Sequence, residues 1–512
     1  MNDLIELVQL FNKTKLKTNG LLSVVLEPGS KMEQLYDAIA QRKVSTDDEA
    51  KTLLYGQEED SGTLSNLKYK LKERLLDSVF LLDYKESNYT VRQKTFIDCY
   101  KRWAAAMILL IRNEKMNGID QLEKLLRHTT RFEFTELTLD ILRVLRLQYS
   151  TVTGDFKRYE AVRDQYRQYE TVWVMESRAE EYYADLMIQY TNSKSTKLGI
   201  SDQARIYFNE LEPFMKECFS FKLHMFGRLI QVMIYSAVND YENTAKLCED
   251  AIRFFDEKDY GSGLPLQVFY YNLIICYLQL REFDKGQPIV EKTLALFDPG
   301  SFNWFKLQEL FFQLAMHTRH YDEAYAIYRR VTDHPRFGGQ LPQIQEMWKI
   351  FQAYVLYLSK IGKIESEEAR AQAARFKVGK FMNEFSLFNK DKRGMNIAIL
   401  IIQILYTIAE RDYEQSIERI DAMEKYCSRW LKEKDTFRSN TVIRMLLQMP
   451  VAYFHKEGVA RKTAKLVKSL HSVPLEVARQ THEIEIVPYE DLWEMTMESL
   501  EMKIYKAKSS SK

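Results

Sequence analysis

The sequence predicts an all-α protein, an α-solenoid of stacked helical hairpins with a distinct helical N-terminal region. Three observations carry that expectation. One helix junction is written five times: an apolar helix runs into a short polar break carrying an aromatic, and an amphipathic helix follows. It stands at Gly154-Asp155-Phe156, Asn239-Asp240-Tyr241, Arg281-Glu282-Phe283, Arg319-His320-Tyr321 and Arg411-Asp412-Tyr413. A hairpin of that size cannot bury its apolar stripe alone, so neighbours must stack and present a long groove or ridge to a partner. The helices after the breaks keep apolar residues three and four apart, as in Thr244, Leu247, Cys248, Ala251, Ile252 and Phe255, and again in Ala324, Ile327, Tyr328 and Val331. The 512 residues include only 18 Gly and 10 Pro, with 46% hydrophobic and 28% charged, which suits a folded, mainly helical chain.

Residues 1–130 form the expected N-terminal region. Thr46 and Glu49 have the spacing of a capping box, in which each side chain satisfies an orphan amide of the new helix, and a short helix to about Tyr55 follows. Residues 56–62 read as a polar, glycine-bounded loop. Beyond it Leu64, Leu67, Leu71, Leu75 and Val79 recur at helical spacing and predict a long amphipathic helix. From about Asn88, helix follows helix. The repeat array is placed at 131–455, with seams at 192–202, 258–265, 334–342 and 389–394, where Gly, Pro, Ser and charged residues gather. Residues 456–512 are assigned to C-terminal helices, one over 489–502, and a basic and serine tail from Lys506 to Lys512.

Each second helix of a hairpin starts on a carboxylate just after the junction aromatic, at Glu242, Asp284, Asp322 and Glu414, which suits the positive end of the helix dipole; Lys157 is the exception. Pro288 falls early in its helix, where a missing amide is tolerated or makes a modest kink. One unit runs from Tyr270 through Leu273, Tyr277, Phe283 and Gly286 to Pro299, and Ala324 and Tyr328 follow Tyr321 at the same spacing, with Tyr235, Tyr241 and Ala251 supplying others. In these residues the chain resembles the tetratricopeptide-repeat superfamily, with its aromatic, leucine, tyrosine, aromatic, small and proline positions. It departs from that pattern at the first-helix glycine, where it has Ile274, Phe312, Val232 and Ile404. The spacing is also longer. Tyr241 and Phe283 lie 42 residues apart and Phe283 and Tyr321 38 apart, while 156 to 241 (85) and 321 to 413 (92) have room for two units each. A period near 40 lies above the about 34 residues of tetratricopeptide units. One missing junction is expected at Gly362-Lys363-Ile364 and another before residues 204–215.

The resemblance covers residues 135–430 and implies hairpins whose first helices line a concave surface. On that arrangement Lys306, Glu309, Gln313 and His317, on one face of the helix beginning near Trp304, meet a bound peptide or protein segment. The plainer alternative is that they meet solvent.

Charge and motif content narrow the function classes. With 73 Lys+Arg against 72 Asp+Glu there is no global electrostatic footprint for nucleic acid or an anionic membrane. Five scattered cysteines, Cys99, Cys218, Cys248, Cys276 and Cys427, argue for reduced thiols in a cytosolic protein. The first residues lack the features of a secretory signal. The longest apolar stretches, near 104–111 and 398–409, fall short of the roughly 18 residues a spanning helix needs. A soluble, cytoplasmic chain is expected. Phosphate-loop, dinucleotide, nucleophile-elbow and zinc-protease motifs are absent from the sequence, and no cofactor or metal is expected. His317 and His320 are spaced to share a metal but have no evident third ligand, and His482, Glu483 and Glu485 form another polar cluster that reads equally as a solvated connector. Lys68, Lys70, Lys72 and Arg74 follow a short helix, which is the outline of a helix-turn-helix nucleic-acid contact, although lysines beside a leucine stripe also suit a solvated face. Arg461, Lys462, Lys465 and Lys468 have the same two readings, without aromatics for base stacking.

The function these features favour is a non-catalytic protein-interaction scaffold that binds a protein or peptide through its repeat array. One alternative is a regulator with an N-terminal nucleic-acid contact and a sensing array; another is an enzyme with a site between helices.

Overall fold

Two residues are enough to stop one helix of this chain and start the next. A computed structural model describes residues 1–13, 26–56, 61–82, 89–191, 197–261, 263–378, 381, 395–430, 437–475, 485–503 and 505. Among these described residues there are twenty-two α-helices and no strand. At nine turns the helix ends on a residue of positive φ: Arg42, Asn113, Glu133, Asn239, Arg281, Arg319, Gly362, Arg411 and Tyr453. The N–H of the following residue donates to the carbonyl five positions back, as from Asp240 to Tyr235, Glu282 to Tyr277, His320 to Ala315, Lys363 to Leu358 and Asp412 to Thr407. This is the long bond of a Schellman stop. Asp240, Glu282 and His320 are also the N-caps of the next helices, and Asp240 and Asp412 accept the N–H groups of Asn243 and Gln415. The tripartite junction read from the sequence is therefore a left-handed stop, a cap and the first helical residue. The expected junction at Gly362 has the left-handed stop alone, since the next helix is capped by Ser366 and starts at Glu367. Gly154 ends a π-helical turn, Tyr149–Thr153, and the one expected before residues 204–215 lies outside the described residues.

The chain divides into two compact units, Met1–Trp173 and Val174–Lys512. In the N-terminal unit, α1 (Asn2–Lys13), α2 (Lys31–Ala40), α3 (Asp47–Tyr55) and α4 (Ser61–Ser78) surround a core that includes Val8, Phe11, Leu35, Tyr36, Leu71 and Leu75. The Thr46–Glu49 capping box starts α3 as expected. Then α5 (Val91–Ile111), α6 (Lys115–Arg131) and α7 (Thr135–Gln148) pack in sequence, and α8 (Phe156–Thr191) carries the chain across the division at residue 173.

The C-terminal unit continues with α9 (Lys197–Glu217), α10 (Phe221–Ser236), α11 (Tyr241–Asp256), α12 (Gly263–Gln279), α13 (Phe283–Leu294), α14 (Phe302–His317), α15 (Tyr321–Thr332), α16 (Pro342–Lys360) and α17 (Glu367–Arg375). It ends with α18 (Met395–Ala409), α19 (Tyr413–Trp430), α20 (Phe437–Val451), α21 (Lys456–His471) and α22 (Tyr489–Ser499), the last stopping three residues short of the expected 502. Consecutive helices pack on one another, and α12 also meets α14, as α16 meets α18. The seams at 258–265 and 334–342 are the connections between α11 and α12 and between α15 and α16; residues 389–394 and the tail from 506 lie outside the described residues.

The first helices of these hairpins are enclosed nearly all round. From Leu307 to His317 every residue of α14 is buried, and from Ile401 to Ile408 every residue of α18. Apolar residues on every face are the mark of a helix with neighbours on every side. Where the resemblance would have a glycine, Ile274, Phe312, Val232 and Ile404 are all buried, and Phe312 stacks on Phe351 with centroids 4.3 Å apart. Side chains interlock there instead of backbones closing up.

Gly286 keeps the role its small position implies. A Cβ at that site would lie 2.5 Å from Leu314 Cδ2 and 3.4 Å from Tyr277 Cβ, so a side chain there forces Leu314 of α14 to shift. Gly286→Val is expected to cost about 1–3 kcal/mol through overpacking, read as a lowered denaturant midpoint. An unchanged midpoint would show that Leu314 moves aside freely.

Candidate protein-interaction surface

The polar stripe on α14 is covered by the chain itself. Lys306 Nζ lies 2.9 Å from Glu309 Oε2, and Glu309, Gln313 and His317 are buried. His317 Nε2 is 2.6 Å from the backbone oxygen of Glu485, 168 positions away in sequence. The expectation that these residues face a partner or solvent is corrected for Glu309, Gln313 and His317, which are buried; Lys306 keeps appreciable exposure, and the segment from Glu485 onward meets the C-terminal end of α14 at His317.

That segment is acidic and apolar. Between 485 and 502 it has six carboxylates and no Lys or Arg. Ile486, Val487, Tyr489, Leu492, Trp493, Met495 and Leu500 are buried in the same core as α14, α16 and α18. The carboxylates find cations at successive helix junctions. Arg319 Nη2 lies 2.6 Å from Asp491 and 2.8 Å from Glu494, Lys363 is 2.9 Å from Glu498, and Arg411 is 2.7 Å from Glu501. Arg281 stands 3.9 Å from Glu490. Most of these pairs are solvent-exposed and contribute little individually; the buried apolar face supplies the larger share.

One pair is different. Arg438 and Glu485 have no exposed side-chain surface, and every guanidinium N–H has an acceptor. Nε and Nη2 donate to Glu485 at 3.0 and 2.5 Å, Nη1 and Nη2 to Glu490 at 2.8 and 2.7 Å, and Nη1 also to the Val473 carbonyl at 2.7 Å. Burial raises the Glu485 carboxyl above its ordinary range despite Arg438. For Glu490 burial acts in the same direction, but the bonds and charge of Arg438 outweigh it and leave that carboxyl lowered. Glu485 is thus an interior anchor, and its expected place in a solvated connector is corrected; His482 and Glu483 lie outside the described residues.

A cleft of about 590 Å³ opens where two junctions meet α22, lined by Arg281, Phe283, Lys285, Arg319, His320 and Asp491. His320 stacks on Phe283 at 3.8 Å and its Nδ1 lies 2.9 Å from Thr318 Oγ1, while His317 Nε2 is engaged with Glu485. The two histidines are therefore turned to separate neighbours. No group of three potential metal ligands occurs among the described residues.

The N-terminal basic helix is also engaged within the chain. Lys68 Nζ is 2.7 Å from Asp47 at the start of α3, Lys72 is 3.2 Å from Asp3 of α1, and Arg74 is 3.7 Å from Glu27. These pairs join α4 to its neighbours, and Lys70 is exposed. Arg461, Lys462, Lys465 and Lys468 lie on the outer face of α21. Burial pushes the thiol of Cys99 up to about 11 and that of Cys276 up to about 12, and raises Cys248 as well, which keeps them as thiols at neutral pH. The side chain of Cys427 lies outside the described residues. No described helix is long and apolar enough to cross a membrane.

No family model, curated protein or solved structure matches this chain.

Proposed function

We propose that this chain is a non-catalytic interaction scaffold, a tetratricopeptide-like solenoid that holds a protein or peptide on the surface of its helical repeats in the cytoplasm. The observation that carries the reading is the repeated two-residue stop-and-cap turn, which joins hairpins whose first helices pack against one another through α12, α14, α16 and α18. A body made of repeated hairpins offers an extended preformed surface, and binding to such a surface costs little ordering. The buried thiols and the ion-paired cations of α4 favour this reading over one built on cysteine chemistry or on an N-terminal nucleic-acid contact. With Glu309, Gln313 and His317 buried, the proposed binding surface lies away from that stripe.

The test is affinity purification of the tagged full-length chain from its source cell at physiological ionic strength. A protein partner in fixed ratio is expected. A chain that emerges alone under mild conditions overturns the reading, and salt-sensitive nucleic acid in the eluate would favour a nucleic-acid contact instead.

A further inference from the structure

The C-terminal unit shows what this chain lays across the ends of its first helices: a helix with one apolar face and carboxylates aimed at junction cations. The corresponding ends of α5 and α7 in the N-terminal unit form an open cleft of about 590 Å³, lined by Met107, Leu110, Ile111, Val144, Leu147 and Tyr159. Around it the large apolar side chains are unusually bare: Ile111 is 79% exposed, Met116 67%, and Ile108 and Leu147 59% each. Scattered apolar residues need no explanation, but bare apolar side chains that line a cleft, here Ile111 and Leu147, point to an interaction site. The charged side chains lining the cleft are two arginines, Arg143 and Arg146, and no carboxylate lines it. Arg143 reaches Asp140 at 3.2 Å on its own helix, and Arg146 lies over the ring of Tyr166 at 4.6 Å. Both guanidinium groups are held beside the apolar floor.

We propose that the cleft between α5 and α7 docks an acidic amphipathic helix supplied by another protein. Apolar side chains at i, i+3 or i+4 and i+7 fill the floor, and flanking carboxylates meet Arg143 and Arg146. The chain's own segment of this chemistry is committed elsewhere, fixed to Arg438 in the C-terminal unit. The proposal rests on the scaffold reading and adds its surface and the chemistry of its partner.

A labelled synthetic peptide with the sequence of residues 485–502 serves as the probe, titrated against the intact chain by fluorescence anisotropy. Saturable binding is expected, weakened at least tenfold by Leu147→Asp or by the pair Arg143→Glu and Arg146→Glu, and unchanged by Lys363→Glu in the other unit. A photo-crosslinker at the peptide's tryptophan should label α5 or α7. Circular dichroism of each variant checks that the fold is intact; Ile111→Asp replaces any variant that fails that check. Absence of binding, binding indifferent to these changes, or labelling confined to the C-terminal unit overturns the proposal. Self-association of the chain that Leu147→Asp abolishes also overturns it, since a second copy would then cover the cleft. If the purified chain retains its cellular partner with Leu147→Asp in place, the scaffold reading stands while this surface fails.

Discussion

Arg438→Ala is expected to cost the C-terminal unit about 3–5 kcal/mol, because it leaves a fully buried carboxylate without its counter-charge. Glu485 has no exposed surface in the fold, and apart from Arg438 its carboxylate is held by the backbone N–H of Tyr489 at 2.7 Å. Glu490 loses both of its short bonds to the guanidinium, and Arg281 stands farther off at 3.9 Å. Arg438→Lys should recover little, since three ammonium donors cannot reproduce the five bonds of the planar group. By contrast, Arg438→Met combined with Glu485→Leu removes both interior charges, and replacement of a buried pair by apolar residues is commonly neutral or stabilising. That double variant should regain most of the loss. Trp493 is buried within α22, and 19F NMR of fluorotryptophan-labelled protein separates its resonance from those of the other five tryptophans, so a guanidinium titration followed at that resonance reports on this segment. If Arg438→Ala shifts the midpoint no more than an exposed-pair variant such as Lys363→Ala, the interior pair is not what fixes the segment.

This anchor could not be read from the sequence, and the reason is physical. Junctions are local: a left-handed stop, a cap and a half-buried aromatic must be consecutive, so Asn239-Asp240-Tyr241 and Arg411-Asp412-Tyr413 carry their geometry in three adjacent residues. The capping box at Thr46 and Glu49 is local for the same reason. Long-range pairing has no such signature. Arg319 meets Asp491 across 172 positions and His317 meets Glu485 across 168, and nothing around either residue says which distant segment it faces. The stripe on α14 was therefore legible as polar but not as covered. One clue was available in the unbroken run of acids without a base from 485 to 502, set against basic residues at three of the five junctions recognised in the sequence, Arg281, Arg319 and Arg411.

Acid should weaken the α9–α10 hairpin. His224 is buried on α10, and its Nε2 lies 3.1 Å from the Met215 carbonyl and 3.0 Å from that of Cys218, closing the last turn of α9. The ring is stacked 4.3 Å from Phe254. With Nε2–H donating to those carbonyls, the neutral ring leaves Nδ1 as a bare acceptor, and protonation would place an N–H at a buried atom for which the described residues offer no acceptor. Burial first, and then the nearby charge of Arg228, lower the imidazole to about 4, with a smaller contribution in the same direction from Lys258. An unfolded histidine titrates near 6.5, so between those values the unfolded chain binds the extra proton. Stability from this group is complete above about pH 6.5 and is lost as pH falls toward 4, reaching roughly 2 kcal/mol of loss at pH 5 and about 3 kcal/mol below pH 4. Carboxylates titrate over part of the same range, so the comparison needs His224→Gln, whose amide can donate to the same carbonyls without titrating. Between pH 7 and pH 5 the parent chain should lose about 2 kcal/mol more than that variant in urea titrations. A ring titrating near 6.5 by NMR, or parallel pH dependences for the two proteins, would show that the imidazole is hydrated and that α9 does not depend on its neutrality.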